Sequence, residues 1–452
     1  MKIIIAGNGK VGQELTRQLS YEGHDLVVID QNETTLEKSA ELYDVMSLKG
    51  NCATMSTLKD AEIDNADLLI AATNADEINL LSCLTAKNIN PSLHTIARVR
   101  TPEYLEQIYM MRENFGLSMA VNPEKAAAHE IFGLLQLPGF LKREVFAKGR
   151  VEIVEIRVQE GGLLENKSLS QMPKILGMKV LICTVVRGEE VFIPNGNTIL
   201  KKDDHIYVTA PTHVLAKLLK TLGIITRKVK HAIIIGAGRV SFYLAQNLIN
   251  AGVDVKIIES NETKCISFAQ ALPKACVICA DGSSQDVLES EGINKTDALI
   301  TLTGLDELNI IMSLYGSEKN VPFVITKVNR MESVSMLKNM NVGSIISPKE
   351  LVSSQIVQYV RAMNNIKGAS VAMHQIADGK AEALEFRVQE NTLHKGEYLK
   401  DIKLKNNILL SCIVRAGKTE IPDGNSKFFN GDSVILITRR ETPILSLNDI
   451  FE

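Results

Sequence analysis

The chain repeats itself, and this constrains its fold more than any other feature. At an offset of about 229 residues, GNGKVG at 7–12 is matched by GAGRVS at 236–241, and the run ending at Asp30 by the run ending at Glu259. ATNADEINL at 72–80 is matched by LTGLDELNI at 302–310, IRVQE at 156–160 by FRVQE at 386–390, and IPNGN at 193–197 by IPDGN at 421–425. Ordered matches at one offset point to duplication and fusion, so any fold assigned to one half must be built twice.

Within the first half, KIIIA, DLVVI, DVMSL, DLLIAA and HTIARV alternate with segments of helical periodicity. That alternation predicts a parallel sheet, and strands apolar on both faces predict helices covering both sides. AIIIG, VDVKII, CVICA, ALITL and PFVITKV repeat the pattern. The fold class is therefore α/β, with two tandem doubly wound, Rossmann-like sheet lobes, each followed by a small α+β lobe rich in hairpins. The expected boundaries are a sheet lobe at 1–122, a bridging segment at 123–148 and a small lobe at 149–224. The second set is 228–347, 348–372 and 373–452. Pro123 and Pro348 can each open a helix at its first turn, and the helices are expected over roughly 123–141 and 348–363.

Composition narrows the function classes. A formal net charge of −3 in 452 residues leaves no basic excess of the kind nucleic-acid binding requires. No run approaches the roughly 18 apolar residues of a membrane helix, and the N-terminal apolar run is too short for a secretory signal. Seven scattered cysteines suit reduced thiols in a cytoplasmic compartment, with no disulfides expected. The CxxC spacing of Cys276 and Cys279 falls in an apparent strand, where residues three apart point to opposite faces, so zinc or redox chemistry by that pair is not expected. The eight histidines form no metal-ligand pattern, and no metal site is expected.

The motif GxGxxG at Gly7, Gly9 and Gly12 follows a strand and opens a helix, and Asp30 ends the next strand. In that context the first glycine permits a tight turn, the second lets a pyrophosphate approach the backbone, and the third allows close packing of helix on strand. The helix N-terminus attracts the negative charge. Asp30 suits the adenosine ribose hydroxyls and favours NAD over NADP, whose 2′-phosphate would meet like charge. Asn8, Lys10 and Val11 complete the first loop. In the second half Gly236, Ala237, Gly238, Arg239 and Val240 form the matching loop, with Ser241 in place of the third glycine and Glu259 in place of Asp30. Ser is small enough to leave the fold intact; whether this site binds the same nucleotide is open from sequence.

Ligands of doubly wound sheets lie beyond the carboxyl ends of the strands. This adds Asn51, Cys52 and Asp281 after the third strands, Thr73, Asn74 and Thr303 after the fourth, and Arg98 and Lys327 at the fifth. Each also suits an ordinary turn or cap. Asp76, Glu77, Asp306 and Glu307 fall in a first helical turn, where the helix dipole accounts for them. No acid/base residue stands out for hydride transfer, which leaves an NAD-dependent oxidoreductase with duplicated sheets as the alternative function.

Together the GxGxxG lobe, the acid after the second strand, ATN-x-DE-x-N at 72–79, ARVR at 97–100, the bridging helix and the small lobe, all duplicated, resemble the RCK (KTN) family. The resemblance covers essentially the whole chain. It implies a non-enzymatic, nucleotide-responsive regulatory subunit that gates a Trk-type potassium-uptake transporter. Such proteins bind NAD(H), and often ATP or ADP, in the sheet lobes. They form homo-oligomeric rings, here of two or four two-unit chains, on the cytoplasmic face of an integral membrane potassium-transporting subunit. By the same likeness the two glycine loops, Asp30 and Glu259, and the strand-end residues from Asn51 to Lys327 named above line two sites, whereas Asp76, Glu77, Asp306 and Glu307 do not belong to them. Glu124, at the start of the bridging helix, would lie near a bound cation or phosphate, whereas Lys349 holds that place in the second half.

Overall fold

The structure, a computed structural model, describes the chain apart from residues 112–114, 137–142, 148–149, 224–227, 330–339, 365–371, 440–443 and 445. By contacts the chain divides into two units. One combines Met1–Ile131 with His231–Val357, the other Phe132–Lys230 with Gln358–Glu452. Each unit thus contains corresponding parts of both repeats.

The first unit holds two six-stranded parallel sheets. Strands β1 (Lys2–Ala6), β2 (Asp25–Asp30), β3 (Met46–Lys49), β4 (Leu68–Ala71), β5 (His94–Arg98) and β6 (Met119–Val121) lie in the order β3-β2-β1-β4-β5-β6. The strand order reverses between β1 and β4, which opens the ligand crevice of a doubly wound sheet. Ile3, Ile4 and Ile5 are fully buried, as expected where helices cover both faces. The sequence pattern missed β6, which has only three residues and pairs with the end of β5.

The second unit holds β7 (Arg143–Phe146), β8 (Val151–Arg157), β9 (Leu181–Arg187), β10 (Glu190–Phe192) and β11 (His205–Ala210), in the antiparallel order β10-β9-β11-β8-β7. Returning to the first unit, β12 (His231–Ile235), β13 (Asp254–Glu259), β14 (Cys276–Cys279), β15 (Ala298–Thr301), β16 (Phe323–Lys327) and β17 (Ser344–Ile346) repeat the first sheet as β14-β13-β12-β15-β16-β17. Finally β18 (Ala372–Ile376), β19 (Ala381–Arg387), β20 (Ile408–Arg415), β21 (Lys418–Glu420) and β22 (Ser433–Arg439) form the second small sheet, β18-β19-β22-β20-β21.

The helices opening at Pro123 and Pro348 run over Pro123–Gln136 and Pro348–Asn364. The continuation expected to residue 141 lies outside the described residues. Arg143–Phe146, placed by sequence in the bridging segment, is instead an edge strand of the small sheet, because it pairs antiparallel with β8.

The two small sheets share one apolar core. Phe146, Ile153, Cys183 and Tyr207 from the first pack with Ile376, Ala383, Cys412 and Ile435 from the second. Glu385 Oε2 accepts the Ala147 N–H at 2.9 Å, and Lys380 Nζ donates to the Glu189 carbonyl at 2.7 Å. Each lobe also repeats one ion pair: Arg187 grips buried Asp204, and Arg415 grips buried Asp432, through two guanidinium nitrogens. A separate core behind β19 centres on fully buried Phe386 with Phe428 and Leu436. Phe386→Ala is expected to destabilise the second unit by about 3–5 kcal/mol, read as an earlier denaturant transition.

Candidate functional site

The first glycine loop is shaped by close backbone approaches. Gly7 has φ +100°, and a Cβ there would lie 2.7 Å from the Thr73 nitrogen. A Cβ at Gly12 would lie 1.9 Å from the Gly7 carbonyl oxygen. Gly9 differs: its φ is −79°, and a Cβ would meet no chain atom within 4 Å. Nothing in the folded chain therefore demands glycine at position 9, nor at Gly238, whose surroundings are equally open. Both are N-caps of helices, Lys10–Tyr21 and Arg239–Asn250, with no side-chain cap, so the first N–H groups of each helix face outward. Lys10 and Arg239 are exposed beside them, while Val11 and Val240 are buried into the sheet.

Asp30 closes this loop from the end of β2. One carboxylate oxygen accepts the Asn8 N–H at 2.6 Å and the other accepts the Asn32 N–H at 2.8 Å. Glu259 does the same with one more methylene, accepting from Ala237 N–H at 2.8 Å and Asn261 N–H at 2.9 Å. Burial works against its charge, but those two donors and Lys264 hold the Glu259 carboxyl below the usual range. A carboxylate offers about four lone-pair sites, so each acid keeps acceptor capacity beyond its own loop.

Ser241 does not cost the second loop its shape. Its hydroxyl donates to the Gly236 carbonyl at 2.5 Å. Gly236 stands slightly further from the neighbouring strand than Gly7 does, with its nearest would-be contact at 3.1 Å.

The other nominated residues fall into two groups. Thr73 and Thr303 sit at the loops, each donating its N–H and hydroxyl to a buried asparagine, Asn79 or Asn309, at 2.7–2.9 Å. Those asparagines in turn donate to the carbonyls of Arg98 and Lys327, tying the fourth strand to the fifth. Asn74 is exposed, and its carbonyl receives the Arg100 guanidinium. By contrast, the Asn8 side chain turns away from the loop to Thr35 and Ser39 and is fully buried. Asn51 and Asp281 accept backbone N–H groups two residues ahead, which makes them turn formers. Burial pushes the Cys52 thiol up; it accepts a hydrogen bond from Ser82.

Sequence reasoning underestimated Asp76. Rather than merely facing a helix dipole, its buried carboxylate accepts from the Arg100 N–H, the Thr101 N–H and the Thr101 hydroxyl at 2.8–2.9 Å. Burial opposes its charge, yet these donors and the Arg100 cation keep Asp76 below its ordinary value. Asp306 likewise accepts from the Asn329 N–H and side-chain amide.

Charges from the two sheet lobes also converge. Arg98 is buried, and its pKa is lowered mainly by that burial, then by the cations Arg100 and Arg239. Lys327 donates to the Leu302 carbonyl at 3.2 Å and is lowered by burial and by Lys10. The strand-end cation of each half therefore feels the loop cation of the other, and Glu124 offsets both. Arg98 Nε and Glu124 Oε2 are buried without a hydrogen-bond partner among the described residues. Lys349, Glu124's counterpart, is half-buried. The Tyr243 hydroxyl adds a direct link at 3.4 Å to the Arg100 carbonyl. Among the described residues no group of three or more His, Cys, Asp or Glu could hold a metal, and no helix is long and apolar enough to cross a membrane.

Two measurements test this geometry. Gly12→Ala drives a Cβ into the Gly7 carbonyl and is expected to cost about 1–3 kcal/mol, seen in thermal melts. Because Asp76 is depressed, the stability it lends is complete above about pH 4, the ordinary range of an aspartate, and fades as pH falls through its lower folded value. Asp76→Asn should flatten that part of an acid-unfolding curve.

The TrkA-N domain family matches residues 3–123 and 232–348, and the TrkA-C domain family matches residues 153–223. A Trk system potassium uptake protein TrkA homolog of Archaeoglobus fulgidus is 29% identical over 452 residues, 100% of each chain. The Trk system potassium uptake protein TrkA of Haemophilus influenzae is 27% identical, covering 100% of this chain and 99% of its own. The crystal structure of the GsuK RCK domain superposes with a TM-score of 0.62 at 19% identity, covering 97% of this chain and 92% of that one, and so shares the fold. With two TrkA-N matches spanning more than half its length, the chain belongs to the TrkA-N domain family.

Proposed function

We propose that this chain is a non-enzymatic regulatory subunit of a membrane potassium-uptake system, carrying two nucleotide sites in its sheet lobes. The observation that carries the reading is the pair of glycine loops. Each is closed by a strand-end carboxylate, each opens a helix N-terminus, and each has a second glycine that the chain's own packing does not require. A pyrophosphate at Gly9 and Gly238 would explain those glycines, and Asp30 and Glu259 would receive the ribose hydroxyls. The acids favour NAD(H); ATP and ADP are further candidates. Structures of GsuK bound to NAD and to ADP, which share the fold, support that nucleotide class. The potassium uptake named in the curated relatives supports the transport role.

In this reading Arg98, Lys327 and Glu124 border the phosphate end, and the orphaned Arg98 Nε and Glu124 Oε2 find partners there. Regulation would be a population shift: a nucleotide that prefers one arrangement of the lobes biases an oligomeric ring, and the ring biases an integral membrane partner. The cytoplasmic face of the membrane is the place this assigns to the chain.

The test measures NADH and ATP affinity for the wild type, Asp30→Ala and Glu259→Ala. Loss of a hydrogen bond to a charged group predicts weakening by about 10- to 100-fold at the affected site. Unchanged affinity in both variants contradicts the site assignment, and steady NAD turnover with a small substrate would favour an oxidoreductase. Co-purification with a membrane potassium-transport subunit tests the partner.

A further inference from the structure

The second sheet lobe carries a thiol pair that the CxxC spacing concealed. Cys276 and Cys279 are both exposed at the ends of edge strand β14 and do not face each other. Cys279 has a different neighbour. Its strand partner is Glu259, and the helix Glu262–Ala271 that follows β13 brings Cys265 back to the same point. There the Cys265 thiol donates to the Glu259 carbonyl at 3.2 Å, an oxygen that also accepts the Ala280 N–H at 3.0 Å. Cys265, from the helix, and Cys279, from the neighbouring strand, thereby converge on Glu259. Burial, then the Cys279 thiol itself, pushes Cys265 up to about 11.

We propose that Cys265 and Cys279 form a peroxide-sensitive dithiol that closes to a disulfide. The two thiols differ as an attacking and a resolving cysteine should. Cys279 is exposed and open to a hydroperoxide, whereas Cys265 is buried and shielded from it. In the first step the Cys279 sulfur attacks hydrogen peroxide, the O–O bond breaks, and a sulfenic acid and water form. In the second the Cys265 sulfur displaces hydroxide from that sulfenic acid, forming the S–S bond and a second water. Two thiols lose two electrons and two protons, and one peroxide is reduced to two waters.

The pair belongs to the second half alone. Leu36 and Lys49 stand at the matching positions of the first half, and Lys49 is engaged with Glu33 at 2.7 Å. Closure would replace the Cys265 hydrogen bond to Glu259 and fasten the Glu262–Ala271 helix, whose N-cap Asn261 donates to the Glu259 carboxylate. The modification is therefore placed at the acid that closes the second glycine loop. It stands on the thiol geometry and does not require that a nucleotide bind there.

The full chain, fully reduced, is treated with stoichiometric hydrogen peroxide, digested without reductant and mapped by mass spectrometry. The expected product is a Cys265–Cys279 linked peptide that dithiothreitol removes. It should persist in Cys276→Ser and vanish in Cys279→Ser and Cys265→Ser. In Cys265→Ser, whose melting temperature is checked first, a dimedone-reactive sulfenic acid should accumulate on Cys279. A Cys276–Cys279 linkage, over-oxidation of Cys279 without any linked peptide in the wild type, or equal oxidation of all exposed thiols would overturn the proposal.

Discussion

The contact on which the candidate sites depend is a carboxylate accepting the backbone of a glycine loop. Asp30 and Glu259 stand at the ends of β2 and β13 and draw in the N–H groups of Asn8 and Ala237. Each thereby fixes the turn that starts the next helix, and each second oxygen fixes the start of the helix that follows its own strand. One side chain thus sets the entry of two helices and the outward aim of their N–H groups. The extra methylene of Glu259 is absorbed without loss of either contact. The hydroxyl of Ser241 is absorbed too, by a hydrogen bond to the Gly236 carbonyl, the counterpart of the Gly7 carbonyl that Gly12 approaches in the first half. Divergence between the halves has changed side chains while keeping the hydrogen-bond plan.

A second layer holds the strand ends in place. Asn79 and Asn309 each tie a threonine of the fourth strand's end to the carbonyl of the fifth strand's cation. Asp76 and Asp306 secure the segment beyond the fifth strand. Arg98 and Lys327 consequently project from a rigid frame, and burial lowers both. Arg98 is buried and Lys327 half-buried; cations held out of water are costly without an anion, and beside Glu124 the proposed phosphate-bearing ligand would supply one.

Much of this was legible in the sequence. The repeat, the alternation of apolar runs with helical periods, and the glycine motif followed by an acid are local patterns, and each is tied to one strand–turn–helix unit. What escaped was long-range or depended on direction. Asn8 lies in the loop, but its amide points into the Glu33–Leu42 helix, which spacing alone does not reveal. Asp76 read as a helix-start acid because its partners, Arg100 and Thr101, lie across the sheet. Cys279 read as half of a CxxC pair, whereas its neighbour Cys265 comes from a helix. The grouping of Lys10 with Lys327 and of Arg98 with Arg239 requires the two halves to pack in one unit, and no local pattern encodes that.

The central claim is that the second glycine of each loop serves a ligand and not the fold. Calorimetric titration of NADH into Gly9→Ala, paired with its thermal melt, tests this most directly, because a Cβ there meets nothing in the chain. The account predicts a melting temperature close to wild type and loss of binding at the first loop. Wild-type NADH binding by a normally folded Gly9→Ala protein would contradict it.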